Sequence, residues 1–275
     1  MSSTNQAVNA DRFAEFCALH RAGAPLVLPN AWDHASAAAL VERGFAAIGT
    51  TSLGVAIAAG KPDGVGGTRE ETVRLGIGIA RLPVPVSVDI EGGFAERPEE
   101  VAALGAELVR AGVAGVNLED GRADGSLTDA GRQVAVIAAL KEAAPTLFVN
   151  ARTDTYWVGG PSASLDETVR RIRAYRAAGA DGVFVPGVGD EAAIETLVGA
   201  TDAPLNILYS PTGPPRTRLA ELGVRRISTG SLLFRVAVRS AVDLAWAIAC
   251  DEEAGAAGAP TYAQAQAMSE AYRAD

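Results

Sequence analysis

Cysteine and histidine are scarce in this chain. The two cysteines, Cys17 and Cys250, are too few and too far apart in sequence for a disulfide framework or a zinc cluster. The simplest interpretation makes them small apolar residues of a protein in a reducing cytoplasm. The same scarcity argues against zinc as a bound metal, because zinc sites are built mainly from Cys and His.

Long apolar runs and basic stripes are absent as well. No run approaches the roughly 20 residues of a membrane span, because even "SAVDLAWAIAC" contains Asp243. The first residues, "MSSTNQAVNADRF", lack a basic segment followed by an apolar one, so no secretory signal is expected. The net charge is -9, with Lys and Arg scattered among acids, which excludes a phosphate-binding stripe. We expect a soluble, cytoplasmic protein that binds neither membrane nor nucleic acid.

Short runs of Val, Ile, Leu and Phe alternate with longer segments of helical composition, which is typical of strands joined by crossover helices. Four of the joints, "ERGFAAI", "RAGVAGV", "AAGADGV" and "ELGVRRI", end a helix with Gly and then enter a strand. No Gly-rich dinucleotide fingerprint follows the first strand, so a closed barrel is favoured over a doubly wound sheet. The sequence predicts one α/β domain over residues 1–275, a (β/α)₈ TIM barrel. Its strand candidates are "PLVLPN", "AAIGTTS", "VPVSVDIE", "GVNLEDG", "LFVNARTD", "GVFVPG", "LNILYS" and "RRISTGS".

Two segments lie outside this alternation. A leading helix at about 10–22 is placed to cover the bottom of the barrel. A tail helix at about 261–273 follows the hinge "AGAAGAP" and has only a thin apolar face. The tail either packs on another surface or is a frayed terminus.

Acidic residues cluster where the predicted strands end. Asp89 and Glu91 finish "VPVSVDIE", and alternation along a strand predicts that both point the same way. At the ends of the following strands lie Glu119 with Asp120, and Arg152 with Asp154, while Asp63 lies in the loop after the second strand. In a barrel these ends meet at one mouth, where active sites lie.

So many carboxylates at one mouth would repel one another unless a cation were present. Oxygen ligands with several waters are what Mg²⁺ prefers, so a hard divalent ion is the economical explanation. Alternatively, individual acids cap helices or pair with arginines. The hydroxyls and free N–H groups of "GTTSLG" suit a carboxylate or a phosphate, or they form an ordinary helix cap.

Taken together, these motifs resemble the isocitrate lyase and phosphoenolpyruvate mutase superfamily. The resemblance runs from "LVLPNAWD" through "GTTSLG", "KPDG", "SVDIEGGF", "GVNLEDG" and "NARTD" to "LNIL". It implies a (β/α)₈ barrel, Mg²⁺ or Mn²⁺, a bound 2-oxo acid or its enolate, and a C-terminal helix exchanged between the subunits of a homodimer or homotetramer.

The resemblance also implies roles for individual residues. Asp89 is the expected direct metal ligand, with Asp63, Glu91 and Glu119 holding metal-bound waters. Thr51, Ser52 and Leu53 are expected to bind the substrate carboxylate. Arg152, the expected catalytic residue, faces the developing oxyanion, and Asn206 contacts a second polar group of a larger substrate.

The chain departs from this family in the loop after the fourth strand. Family lyases carry a Lys-Lys/Arg-Cys-Gly-His loop there, whereas this chain has "EDGRADGSLTD" without cysteine. Standard isocitrate or methylisocitrate cleavage is therefore not expected. We predict a Mg²⁺-dependent lyase that cleaves a carbon–carbon bond of a 2-oxo carboxylate by retro-aldol reaction or decarboxylation. The alternatives are cleavage of a carbon–phosphorus bond, or a protein that binds a 2-oxo dicarboxylate without catalysis.

Overall fold

The computed structural model describes residues 3–160, 163–253, 255 and 258–273. All strands in the described residues are parallel and belong to one sheet, in the order β1-β9-β8-β7-β6-β5-β4-β3-β2. The strands are β1 (Leu26–Leu28), β2 (Asn30–Ala31), β3 (Ile48–Thr50), β4 (Val86–Asp89), β5 (Gly115–Glu119), β6 (Phe148–Arg152), β7 (Gly182–Phe184), β8 (Leu205–Leu208) and β9 (Arg226–Ser228).

Each of the eight predicted strands is present, and the first is split in two by Pro29. Because proline has no N–H, the regular ladder is interrupted there: β1 pairs with β9, while β2 pairs with β3. The two halves follow each other in the chain, so this strand closes the sheet into a barrel. Asn30 joins the seam, because its side-chain oxygen accepts the N–H groups of Thr229 and Gly230.

The helices surround the barrel in chain order. They are α1 (Ser3–Leu19), α2 (His34–Glu42), α3 (Ser52–Ala58), α4 (Arg69–Ile79), α5 (Pro98–Arg110), α6 (Ala130–Ala143), α7 (Thr155–Gly159), α8 (Leu165–Ala177), α9 (Glu191–Gly199), α10 (Arg216–Glu221), α11 (Leu232–Ala249) and α12 (Tyr262–Ala267), followed by a 3₁₀ turn at Glu270–Tyr272. The glycines of the four predicted joints all have positive φ, between 91° and 105°, so the helix ends were read correctly.

Packing follows the amphipathic pattern of the crossover helices. Helix α5 begins with Pro98 at its first turn and buries Val101, Leu104 and Leu108 against the sheet. Burial of each such side chain contributes about 1.5–3 kcal/mol of transfer free energy. The apolar core therefore lies mainly between the strands and the helices, which leaves the carboxyl ends of the strands for polar side chains.

The leading helix α1 ends at Leu19, earlier than predicted, because Gly23 and Pro25 in the following turn do not support a helix. It covers the amino ends of the strands as expected. Phe16 packs edge-on against Phe148, the first residue of β6, with ring centroids 5.1 Å apart.

The tail is helical only at α12 and in the 3₁₀ turn, a shorter extent than the predicted 261–273. Tyr272 packs on its own barrel, where its hydroxyl donates to the carbonyl oxygen of His34 at 2.6 Å. Residues 254, 256 and 257 of the predicted hinge lie outside the described residues. Exchange of the tail between subunits stays a prediction. In the described part of the chain, every helix is too short or too polar to cross a membrane.

Candidate active site

The carboxyl ends of the strands enclose a cavity of about 220 Å³. Seven of the nine predicted site residues line it directly, namely Thr51, Ser52, Leu53, Asp63, Asp89, Glu119 and Arg152, whereas Glu91 and Asn206 do not. The lining also includes an apolar wall formed by Trp157, Val158, Phe184, Pro186 and Leu208.

Asp89, the last residue of β4, is held rigidly at the cavity wall. Its N–H donates to the Thr50 hydroxyl at 2.8 Å, and one carboxylate oxygen accepts the Ser52 N–H at 3.1 Å. The other carboxylate oxygen accepts the Asn117 side-chain amide at 3.2 Å, and Asn150 fixes that amide from behind at 3.0 Å. Each oxygen keeps a lone pair for a ligand, because a carboxylate oxygen accepts more than one bond.

Two further acids line this cavity, and their surroundings raise the pKa of both. Burial raises the pKa of Asp63, against the opposing effect of a hydrogen bond from Ser52, and the nearby charge of Asp89 raises it further. The buried Oδ1 atom of Asp63 has no hydrogen-bond partner among the described residues. Burial also raises the pKa of Glu119 to about 8, because desolvation outweighs the attraction of Arg152.

Arg152, the last residue of β6, is fixed between two acids. Its Nη1 lies 2.8 Å from Glu119 Oε2, and its Nε lies 2.6 Å from Asp154 Oδ1. Burial alone would lower the pKa of Arg152, but Glu119 and Asp154 hold it above its ordinary value. One guanidinium thus pairs with two carboxylates at once, which fixes its position at the cavity wall.

Glu91 lies beside this cluster, but its side chain does not point in the direction that strand alternation predicts. Strand β4 ends at Asp89, and Glu91 has φ 50°, so the two-residue alternation does not extend to its side chain. Its carboxylate accepts the Thr68 hydroxyl at 2.7 Å and the Gly66 N–H at 2.9 Å. In this arrangement Glu91 fixes the loop that carries Asp63.

Asn206 lies in β8, but its side chain is fully buried behind Ser228 and does not line the cavity. Its amide exchanges hydrogen bonds with the Ser228 hydroxyl at 3.0 and 3.2 Å. Ser228 and Arg226, both from β9, line the cavity instead. Sequence reasoning missed these two, although an arginine two residues before a serine in a predicted barrel strand was a signal that both face the interior.

Asp120, predicted at the same mouth, is turned into the helix layer. Its carboxylate accepts Arg171 Nη1 at 2.9 Å, the Tyr175 hydroxyl at 2.6 Å and the Asp154 N–H at 2.8 Å. Removal of one partner from such a buried network leaves uncompensated charge. Asp120 therefore anchors the loops after β5 and β6 and does not line the cavity.

The loop after β5 forms a compact hairpin in place of the cysteine-containing loop of family lyases. The Arg122 N–H donates to the Ser126 carbonyl at 3.0 Å, and Gly121 pairs with Leu127 in a short antiparallel bridge. Cys17 lines a separate cavity, while Cys250 is exposed at the end of α11. No cysteine or histidine is among the described residues that line the site.

The residues of the cavity fit a hard divalent cation. Within the described ranges, no three His, Cys, Asp or Glu side chains converge closely enough to hold a metal together. Mg²⁺ does not require that, because it keeps several waters and takes only one or two carboxylates directly. The unpartnered Oδ1 of Asp63, the orientation of Asp89 and the raised pKa of Glu119 suit one direct ligand with neighbours that contact its waters.

The raised pKa of Glu119 predicts a pH dependence for the metal-free protein. Between about pH 5 and 8 the unfolded chain has released this proton while the folded chain retains it, so stability falls as pH rises. The slope from this group is at most about 1.4 kcal/mol per pH unit. Denaturant unfolding in EDTA at pH 5, 6.5 and 8 measures it, with Glu119→Gln as the matched control. Identical slopes in both proteins would contradict the assignment.

A closed parallel barrel with a charged cavity at the carboxyl ends of its strands has the architecture of a barrel enzyme. A family model described as phosphoenolpyruvate phosphomutase matches residues 16–249. The chain belongs to the isocitrate lyase and phosphoenolpyruvate mutase superfamily, as the sequence motifs predicted.

Three curated relatives are similar to the chain over 63–86% of its length. An uncharacterized protein of Mycobacterium tuberculosis H37Rv is 43% identical over 86% of this chain and 89% of that protein. A Corynebacterium glutamicum protein named "Probable 2-methylisocitrate lyase 2" is 32% identical over 77% of this chain and 72% of that protein. Oxaloacetate decarboxylase of Ectopseudomonas mendocina is 34% identical over 63% of this chain and 61% of that protein.

The fold similarity extends over nearly the whole chain. The crystal structure of phosphoenolpyruvate phosphomutase from Streptomyces platensis subsp. rosaceus has a TM-score of 0.83 and covers 94% of this chain and 96% of that one. At 24% identity, this likeness concerns the fold. The superfamily comprises lyases and mutases that act on 2-oxo acids.

Proposed function

We propose that this protein is a Mg²⁺-dependent lyase that cleaves a carbon–carbon bond next to the ketone of a 2-oxo carboxylate, by retro-aldol reaction or decarboxylation. One observation carries the proposal: the carboxylates of Asp63, Asp89 and Glu119 share a single cavity with the guanidinium of Arg152. Such a cavity suits a hard cation next to a group that stabilises a developing oxyanion.

Different residues of the cavity bind the substrate and stabilise the charge that develops on its ketone oxygen. Thr51 and Ser52, through their hydroxyls, and Leu53, through its N–H, hold the carboxylate of the 2-oxo acid at the start of α3. Asp89 would hold Mg²⁺ or Mn²⁺ directly and Asp63 and Glu119 would contact its waters, while Glu91, predicted beside them, would act by fixing the loop that carries Asp63. The ion would supply Lewis-acid stabilisation of the charge on the ketone oxygen. Arg152, fixed by its two ion pairs, directs its remaining N–H groups at the same charge.

The chemistry balances for both kinds of cleavage. The breaking bond leaves its electron pair on the carbon next to the ketone, which forms the enolate. The departing fragment is carbon dioxide in decarboxylation, and an aldehyde or ketone in a retro-aldol reaction that also releases the hydroxyl proton. A proton from water then converts the enolate to the ketone product, which suits a cavity whose described lining has no thiol.

The names of two relatives, an oxaloacetate decarboxylase and a 2-methylisocitrate lyase, support carbon–carbon cleavage. The description of the matching family model, a phosphomutase, favours carbon–phosphorus cleavage as the second candidate. A protein that binds a 2-oxo dicarboxylate without turnover is the third.

A panel of substrates separates these functions. Purified protein with Mg²⁺, and with EDTA as the control, is incubated with oxaloacetate, 4-hydroxy-2-oxoglutarate and phosphonopyruvate, and products are measured by NMR. We expect Mg²⁺-dependent release of pyruvate from one of the first two. Turnover of phosphonopyruvate alone would support the phosphorus chemistry, and binding of all three without turnover would support the non-catalytic protein.

We further propose a homodimer or homotetramer in which the tail packs on a neighbouring subunit. Helix α11 exposes Val238, Val242 and Trp246, spaced four residues apart, with Trp246 68% exposed. An apolar stripe of this kind on a surface helix marks an interaction face.

Truncation before Gly255 is therefore expected to weaken assembly, because it removes the tail that carries the exposed Tyr262. Light scattering at micromolar concentration measures the mass of both chains. A full-length monomer would refute the assembly, and an unchanged mass after truncation would show that other contacts hold the subunits together.

A further inference from the structure

Arg226 in β9 is a buried cation that forms no ion pair within the described residues. Its side chain is 2% exposed, yet no carboxylate among the described residues lies within ion-pair distance of it. Its Nε donates to the Ser228 hydroxyl at 3.1 Å, while its Nη1 has no hydrogen-bond partner in the described chain. A buried, unpaired charge is costly and is seldom retained without a function.

The position of Arg226 connects it with the site. It lines the same cavity as Asp89 and Arg152, as does Ser228. Parallel pairing sets Arg226 beside Asn206 of β8 and Leu26 of β1, so it approaches the cavity from the β8–β9–β1 side. The charge of Asp89, at the end of β4, opposes the effect by which burial lowers the pKa of Arg226, but the two side chains form no ion pair among the described contacts, and the Asp89 carboxylate accepts from Ser52 and Asn117.

Other roles for this arginine fit less well. The arginines that hold the fold together here are paired, as Arg171 is with Asp120 and Arg152 is with Glu119. Arg225, the preceding residue, lines the separate cavity at the other end of the barrel. A side chain that only filled space in the interior would not require a guanidinium, because an apolar residue fills it without a desolvation cost.

We propose that Arg226, oriented by Ser228, binds a second acidic group of the substrate, so that the ligand is a 2-oxo acid with a distal carboxylate. A guanidinium recognises a carboxylate by two parallel hydrogen bonds. This proposal rests on the proposed function, since the first carboxylate and the ketone occupy the end of the cavity near Asp89.

The same charge bears on which bond is cleaved. A cation that binds a carboxylate stabilises its negative charge, which hinders loss of that group as neutral carbon dioxide. A second acid held by Arg226 therefore stays on a product, as it does in the retro-aldol cleavage of a 4-hydroxy-2-oxo diacid. Within the proposed function, Arg226 therefore favours retro-aldol cleavage over loss of the carboxylate that it holds.

Matched ligands isolate the distal carboxylate. 2-Oxoglutarate and 2-oxopentanoate have the same chain length and differ only in whether the chain ends in a carboxylate or a methyl group. Calorimetry with Mg²⁺ present gives the affinity of both for wild type, Arg226→Met, Arg226→Lys and the neighbouring control Arg225→Met.

Wild type and Arg225→Met should bind the diacid about 10- to 100-fold more tightly than the monoacid. Arg226→Met should remove this preference and leave the monoacid affinity within a few-fold, with an unchanged or higher melting temperature. Arg226→Lys should retain part of the preference and shows the effect of charge even if the Met variant folds poorly.

The outcomes separate this inference from the function beneath it. Equal affinity of wild type for both ligands, or equal weakening of both in Arg226→Met, would overturn the role of Arg226 while the 2-oxo acid site stands. Failure of wild type to bind either ligand with Mg²⁺ would overturn the proposed function and this inference together.

Discussion

Asp89→Ala is expected to abolish measurable Mg²⁺ binding and to lower Mg²⁺-dependent turnover by about 1,000-fold or more. Asp89 is the proposed direct ligand, and the hydrogen bonds from Ser52 and Asn117 aim its carboxylate into the cavity. The fold should persist, because removal of one acid from a crowded cluster relieves repulsion. Calorimetry with Mg²⁺ measures the binding, and thermal unfolding measures the stability.

Asp124→Ala provides the matched control, because this acid lies in the neighbouring hairpin and bonds to the exposed Ser126 hydroxyl. It should keep wild-type affinity for Mg²⁺. Unchanged Mg²⁺ affinity in a folded Asp89→Ala protein would sink the assignment of the ligand.

Arg152→Met should reduce turnover by about 100- to 1,000-fold, the size of effect seen when one group that stabilises an oxyanion is removed. It should not reduce Mg²⁺ affinity, and this distinguishes it from the Asp89 variant. Loss of the guanidinium leaves Glu119 and Asp154 without their cation, so the remaining acids attract a divalent ion more strongly.

The stability of Arg152→Met should depend on the metal. Without Mg²⁺ the variant loses its buried ion pairs, at a cost of about 3–5 kcal/mol, and added Mg²⁺ should restore part of this. Thermal unfolding with Mg²⁺ and with EDTA, beside kinetics on the cleaved substrate, measures both effects. Arg97→Met, which removes an exposed arginine, is the control. Turnover within tenfold of wild type would contradict the catalytic role.

The fold could be predicted because its signals are local and repeated. Alternating strand and helix segments gave all eight strand positions, and the glycines at four joints gave the helix ends. The same regularity brought Asp63, Asp89, Glu119 and Arg152 to one mouth, since strand ends in a parallel barrel must meet there.

Prediction from local sequence pattern fails where the backbone leaves regular strand geometry. It also fails where a residue on a neighbouring strand determines whether a side chain is exposed. Alternation could not place Glu91, because the strand ends two residues earlier and φ turns positive. Asn206 is covered by Ser228 from the next strand, a contact that depends on register between β8 and β9. That Arg226 pairs with no carboxylate of the described residues is likewise a property of the folded barrel, because it depends on where the acids of the cavity point.

The most direct test of the enolate mechanism is proton NMR in ²H₂O of the purified protein with Mg²⁺ and either 4-hydroxy-2-oxoglutarate or oxaloacetate. We expect pyruvate that carries deuterium at its methyl group, formed faster than in parallel samples with Asp89→Ala or EDTA. Absence of turnover for both substrates, or a rate that neither Asp89→Ala nor EDTA lowers, would contradict a metal-dependent 2-oxo acid lyase.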